Sequence, residues 1–176
     1  ICACLVGSEM CIRDRTKIPS EEYDHPITFT VTFEGTPTKV KKKIQTAHLF
    51  HTLTADKVTS KRIENGKYDS DWQLDRQKFD DVKVPVLPGV HADQKIVVGP
   101  KVDKEDIEVS VTYHLNGYLI PVDENGNEIP NVGPYQFATD ENDPTKIALN
   151  QIVPDIEGYT HAQEVISPQS PDKDIS

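Results

Sequence analysis

The chain has 176 residues, with 19 Lys and Arg set against 29 Asp and Glu, and a formal net charge of −10 at pH 7. That balance argues against a nucleic-acid or anionic-membrane partner, because both are held by cationic side chains that displace counter-ions. No stretch approaches the roughly eighteen consecutive apolar residues from which a membrane helix is read, and 13 prolines at 36% hydrophobic content point to short strands and loops.

The first fifteen residues stand apart. They hold all three cysteines, Cys2, Cys4 and Cys11, and the one methionine, Met10. Ile1 to Gly7 is apolar and small, as in the tail of a secretory signal, but no charged segment precedes it. Ser8 to Arg15 resembles the translation of sequencing-adapter read-through. On that reading residues 1–15 are an artefact outside the fold, and the C-x-C and C-x6-C spacings are neither a zinc site nor a disulfide framework. Residues 16–26 are polar and read as a linker.

Ile27 to Phe33 alternates without a break, which predicts a strand with Ile27, Phe29, Val31 and Phe33 on one face and three threonines on the other. Glu34-Gly35-Thr36-Pro37 closes it with turn residues. Lys39 to His51 is a second strand, edge-like through its lysine run. Asp56-Lys57 and Asn65-Gly66 mark hairpins. Val82 to Val86, Lys95 to Val98 and Glu108 to Tyr113 continue an array of short strands. Further on, Asp123 to Asn127 predicts a type I′ turn at Asn125-Gly126, and Pro134 to Asp143 a polar loop. Thr145 to Ile152 is the helix candidate, because Asp143-Pro144 resembles an N-cap followed by a helix-first proline.

An internal echo organises these elements. Val84-Pro85-Val86-Leu87-Pro88-Gly89-Val90 returns sixty-nine positions later as Val153-Pro154-Asp155-Ile156-Glu157-Gly158-Tyr159. Gln94, Ile96 and Val97 match Gln163, Val165 and Ile166, and Asp103-Lys104 matches Asp172-Lys173. This period suits a small domain, so two related modules are expected, over 27–115 and 116–176. The first copy runs past Ile107 into a strand, whereas the second reaches Asp174-Ile175-Ser176. The second module is therefore expected to stop before its last strand, as a fragment of a longer repeat protein would. The expected fold is α+β and strand-rich, mostly β with at most a short helix in each module.

Catalytic and metal constellations are weak. His25, His48, His51, His91, His114 and His161 lack the i, i+4 spacing of a helical zinc site, and there is no Gly-x-Ser-x-Gly. Asp69, Asp71, Asp80 and Asp81 could supply a glycosidase pair, but a module this small has little volume for the cleft such a pair needs. Asp123-x-Asn125-Gly126-x-Glu128 lacks the later ligands of a calcium loop and reads as a plain turn. No enzyme and no cofactor are expected.

The Thr-rich strand, Tyr68-Asp69-Ser70-Asp71-Trp72, then Phe79 to Gly89 and Val109 to Tyr113, in that order, resemble the mucin-binding (MucBP-type) repeat of lactobacillal surface adhesins. Ile120 to Pro130, Asp143 to Lys146 and Val153 to Tyr159 resemble its companion module. The resemblance implies a β-grasp-like, ubiquitin-like fold, display on the cell wall of a Gram-positive bacterium, and adhesion to mucin glycans, with immunoglobulin as a further partner of some members. Sugar rings present apolar faces ringed by hydroxyls, so exposed aromatics beside amides and carboxylates are the candidates. These are Tyr68, Trp72, Tyr135 and Tyr159, with Asp71, Asn116 and Gln136 beside them, and a basic strip at Lys39, Lys41 and Lys43. Where the family carries Pro-Gly-Tyr, this chain has Pro88-Gly89-Val90 and Glu157-Gly158-Tyr159. The alternative is a structural spacer, a repeat that touches only its neighbours and holds a distal domain away from the wall.

Overall fold

The computed structural model describes residues 18–56 and 58–176. Residues 1–17, with the three cysteines, lie outside that range, as does Lys57. Among the described residues the only helical turn is a 3-10 turn at Ser20–Glu22. The strands in chain order are Asp24–Glu34 (β1), Lys43–Phe50 (β2), Thr54–Ala55 (β3), Arg62–Ile63 (β4), Gln73–Leu74 (β5), Val82–Lys83 (β6), Val90–Ala92 (β7), Ile96–Val97 (β8), Ile107–Leu115 (β9), Tyr118–Leu119 (β10), Tyr135–Gln136 (β11), Thr139–Asp140 (β12), Asp143–Ile147 (β13), Gln151–Ile152 (β14) and Val165–Ile166 (β15). The chain is thus strand-rich and mostly β, as its alternation and turn chemistry imply.

Two compact units emerge, and each gathers separate stretches of chain. Among the described residues, one comprises 18–30, Ile44–Asp80 and Gly99–Glu108; the other comprises Val31–Lys43, Asp81–Val98 and Val109–Ser176. In the first unit β2 lies between β1 and β5. The alternation expected for β1 holds, with Ile27, Phe29 and Val31 buried and the threonines between them half-buried. Phe29 meets Phe79 at 5.4 Å between ring centroids, and both are fully buried together with Leu53. β3 and β4 form a hairpin whose loop is held by Asp56, which accepts from the N–H groups of Val58 and Thr59. The strand expected over Lys39 to His51 is shorter, because β2 begins at Lys43, so Lys39, Lys41 and Lys42 lie ahead of it.

In the second unit β9 lies between β1 and β7. Thr32 bonds the carbonyl of Val109, and the backbone at Gly35 closes on that of Tyr113, so β9 advances in the same direction as β1. β7 and β9 are antiparallel, with Val90 opposite Leu115 and Ala92 opposite Tyr113. Beyond Leu115, Leu119, Phe137 and Ile147 form a buried cluster against which Val153, Ile166 and Ile175 pack. Asn116 is 1% exposed and its amide is fully used: Oδ1 accepts from His91 Nδ1, and Nδ2 donates to the Phe137 carbonyl and the Thr139 hydroxyl.

Three expectations are corrected here. Thr145–Ile152 is not helical, and β13 and β14 occupy it. The Asp143 carboxylate does accept from the Thr145 N–H, as an N-cap would, but the same bond closes an Asx turn. A helix of about eight residues has little stability of its own, whereas the extended chain pairs Thr139 with Ile147 and lets the Gln151 amide clamp Ala138 and Ala148. Pro134 to Asp143 is not simply a loop, because buried Phe137 anchors β11 and β12 around it. The turn over 123–127 is not type I′. Only Gly126 has a positive φ, 82°, its N–H donates to the Asp123 carbonyl, and the Asp123 side chain accepts from Asn125 and Asn127. This is a type I turn followed by a bulge at glycine.

Candidate functional site

The lone tryptophan of a small domain is commonly its core anchor, but here Phe29 and Phe79 fill that place and Trp72 is 43% exposed. Its indole is flanked by two imidazoles, His51 at 4.1 Å and His25 at 4.8 Å between ring centroids. The segment carrying Trp72 is bolted to the end of β2 by a ladder of side-chain bonds. Thr52 N–H donates to the Ser70 hydroxyl and the Thr52 hydroxyl to the Tyr68 carbonyl. Tyr68 N–H donates to the Thr54 hydroxyl, and Thr54 N–H to the Asp69 carboxylate at 2.7 Å. Thr54, through its hydroxyl first and its N–H next, holds the Asp69 carboxyl below the usual carboxylate range. His51 is fixed in turn, with Nε2 at 2.7 Å from the Glu22 carbonyl and Nδ1 at 3.3 Å from that of Ser70.

Tyr68 is 44% exposed, with Lys67 Nζ 5.6 Å from its ring centroid, and the Asp71 side chain is exposed next to Trp72 in sequence. The first unit therefore presents indole, imidazole and phenol surface with a cation and a carboxylate beside it. Such a surface stacks on the apolar face of a sugar while polar groups reach its hydroxyls. Sequence reasoning singled out Tyr68, Asp71 and Trp72 but missed His25 and His51, which lie 47 and 21 residues from Trp72 and carry no local pattern that links them to it.

The second unit distributes its candidates differently. Tyr135 on β11 is 37% exposed. Gln136 is occupied structurally, because its Nε2 donates to the Gly89 carbonyl at 2.9 Å and approaches that of Asn116 at 3.5 Å. Asn116 is buried and has no side-chain bond to spare. Val90, where the resemblance led an aromatic to be expected, is a core strand residue, 1% exposed. Tyr159 is 51% exposed, on a turn closed by its N–H to the Ile156 carbonyl. It stands at a cleft of about 500 Å³ between Leu119–Glu124 and 159–163, floored by Val153, Ile166 and Ile175. His161, across from Asp155 at 2.8 Å, lines the same cleft. Among the described residues no group of three or more His, Cys, Asp or Glu side chains is placed to hold a metal ion.

The family model of the Muc B2-like domain matches residues 19–117, more than half of the chain. The chain belongs to the Muc B2-like domain family. The matched region contains β1 to β9 and with them the Trp72 surface. Among solved structures the chain is similar to the MucBP domain of the adhesion protein from Pediococcus pentosaceus, at 24% identity and a TM-score of 0.39 over 52% of this chain and 99% of that one. It is similar also to the mucin-binding domain of Spr1345 from Streptococcus pneumoniae, at 24% identity and a TM-score of 0.38 over 51% of this chain and 89% of that one. A third similar structure is Mub-RV, at 21% identity and a TM-score of 0.39 over 51% of this chain; the chain spans about half, 52%, of its length. No curated protein matches.

Proposed function

We propose that the chain is a non-catalytic repeat of a Gram-positive cell-surface adhesin, built as two modules over 27–115 and 116–176, that binds host mucin glycans through weak contacts multiplied along an array of neighbouring repeats. The observation that carries this reading is the half-exposed Trp72, held between His25 and His51 on a rigid ladder rather than consumed in the core. Trp72 and Tyr68 supply stacking faces, Asp71 an acceptor for sugar hydroxyls, and Lys67 a cation suited to the acidic sugars of mucin. Tyr135 and Tyr159 are the secondary contacts, and Gln136 acts by holding the Gly89 loop. One stacking contact of this kind is worth about 1 kcal/mol, so affinity depends on copy number, and linked modules gain roughly 10²–10⁴-fold over a single one. Membership of the Muc B2-like domain family supports the reading.

The test is binding of a tandem array of this chain to immobilised mucin, before and after sialidase, with Trp72→Ala and Tyr159→Ala arrays beside it. Saturable binding that falls about tenfold in the Trp72→Ala array, with a smaller loss for Tyr159→Ala, is the expected result. A folded array that shows no binding overturns it in favour of the spacer. Immunoglobulin G on the same surface decides whether that second ligand class applies.

A further inference from the structure

Three Asn-Gly pairs lie in the chain, Asn65-Gly66, Asn116-Gly117 and Asn125-Gly126. At such a pair the backbone nitrogen of glycine can attack the asparagine carboxamide carbon, because glycine has no side chain to hinder the approach. The attack makes three demands on the fold: a carboxamide free to swing, a glycine N–H released from its acceptor, and room for a five-membered ring.

Asn116 meets none of them. It is 1% exposed, and its carboxamide is held by His91, the Phe137 carbonyl and Thr139. The Gly117 N–H donates to the Pro171 carbonyl at 2.7 Å, and a side chain on Gly117 would stand 2.8 Å from the Lys173 carbonyl. Asn65 is exposed, but its glycine is pinned at both ends. Gly66 N–H donates to the Asp69 carboxylate at 3.2 Å, and the Gly66 carbonyl accepts the Asp69 N–H at 3.1 Å. Gly66 also packs directly on the Thr54 side chain, and the Asp69 charge opposes loss of the proton that the attack must remove.

Asn125 meets all three. It and Gly126 are exposed, and its carboxamide makes no hydrogen bond among the described residues, its N–H alone donating to Asp123. Nothing lies within 4 Å of the place where a side chain on Gly126 would stand. The Gly126 N–H has one tie, to the Asp123 carbonyl at 3.0 Å, on a surface where water can take over both partners.

We propose that Asn125 is a site of spontaneous deamidation in the folded chain, and that the fold keeps Asn65 and Asn116 as amides. The Gly126 nitrogen gives its proton to hydroxide and bonds to Asn125 Cγ; the carboxamide nitrogen leaves as ammonia, and a succinimide closes. Water then opens the ring at either carbonyl, giving aspartate, or isoaspartate in which the main chain runs through Cβ. Isoaspartate lengthens the main chain inside a turn whose hydrogen bonds are spaced for the normal length. These are the Asn125 and Asn127 N–H groups to the Asp123 carboxylate, and the Asp123 N–H to the Asn127 carbonyl at 2.8 Å. The product unlaces that turn and adds a negative charge beside Asp123, Glu124 and Glu128. The extent of conversion records how long the folded protein has stood in water, and it does not depend on the proposed sugar binding.

The experiment holds the full chain, folded and in denaturant, at neutral and mildly alkaline pH. Peptide mass spectrometry follows the three pairs, and isoaspartyl methyltransferase separates the two products. In the folded chain Asn125 is expected to convert within about threefold of its denatured rate, faster at the higher pH, while Asn65 and Asn116 slow at least about tenfold against theirs. Chain carrying isoaspartate at 125 is expected to lose amide exchange protection at Asn127 and to keep it at Phe137. Equal slowing at all three pairs, or conversion led by Asn65, overturns the proposal. An isoaspartate product with Asn127 still protected overturns the unlacing of the turn.

Discussion

At the scale of single residues, burial separates side chains that hold the fold from those that face outward. Phe29 and Trp72 make the contrast: Phe29→Ala removes a fully buried ring and costs about 4 kcal/mol in denaturant unfolding, while Trp72→Ala leaves the midpoint nearly unchanged and acts on binding. Asn116→Ala leaves His91, the Phe137 carbonyl and Thr139 without their shared partner, and a loss of about 3 kcal/mol is expected by the same measurement. Ionisable residues add a pH dependence with two limbs. Asp143 is drawn down to about 2, first by the Thr145 hydroxyl and then against the cost of burial by the Thr145 N–H and Lys95. A carboxyl lowered in the folded state stabilises above its unfolded value and loses that contribution as pH falls through its folded one. Stability should therefore drop between pH 3.8 and about 2, and Asp143→Asn should flatten that limb. Tyr113 is pushed up to about 12, first by burial and then by Asp93, while its hydroxyl donates to the Pro85 carbonyl. Its contribution is complete below pH 10.0 and is lost as pH rises toward 12, a limb that Tyr113→Phe should remove in urea titrations.

Elements differ in how far the sequence declares them. β1 and β9 are legible because each carries a long alternation whose apolar face is the buried face, and one residue of slip would turn that face to water. The echo was legible too, and it proved to be an echo of pairing register, since β6 with β8 and β14 with β15 repeat at the same spacing. The 143–152 segment misled because its local signal, a carboxylate followed by proline, serves an Asx turn as readily as a helix start. What decided between them was nonlocal: the Gln151 amide reaching Ala138 and the pairing of Thr139 with Ile147. A synthetic peptide covering 143–152 should accordingly show no helical circular dichroism, and Thr145→Ala in the chain should lower the thermal midpoint even though alanine is the better helix former. The candidate surface was half legible. Tyr68, Asp71 and Trp72 share one short segment, but the imidazoles that frame Trp72 come from β1 and from the residue after β2, and only folding brings them together.

For the whole molecule, a charge of −10 would oppose the proposed partner, because mucins are themselves acidic. Long-range repulsion slows encounter, and salt screens it beyond about 10 Å at 0.1 M. Association rates with sialylated mucin should rise as salt goes from low to physiological, and sialidase treatment should abolish that rise; biosensor kinetics on the two surfaces will show it. The chain has one tryptophan, and that residue is Trp72. Ultraviolet emission excited at the red edge of indole absorption therefore comes from a single position, pressed between two rings able to quench it. Any molecule that settles on that surface changes the colour and lifetime of the light, so the protein reports its own occupancy with no label attached.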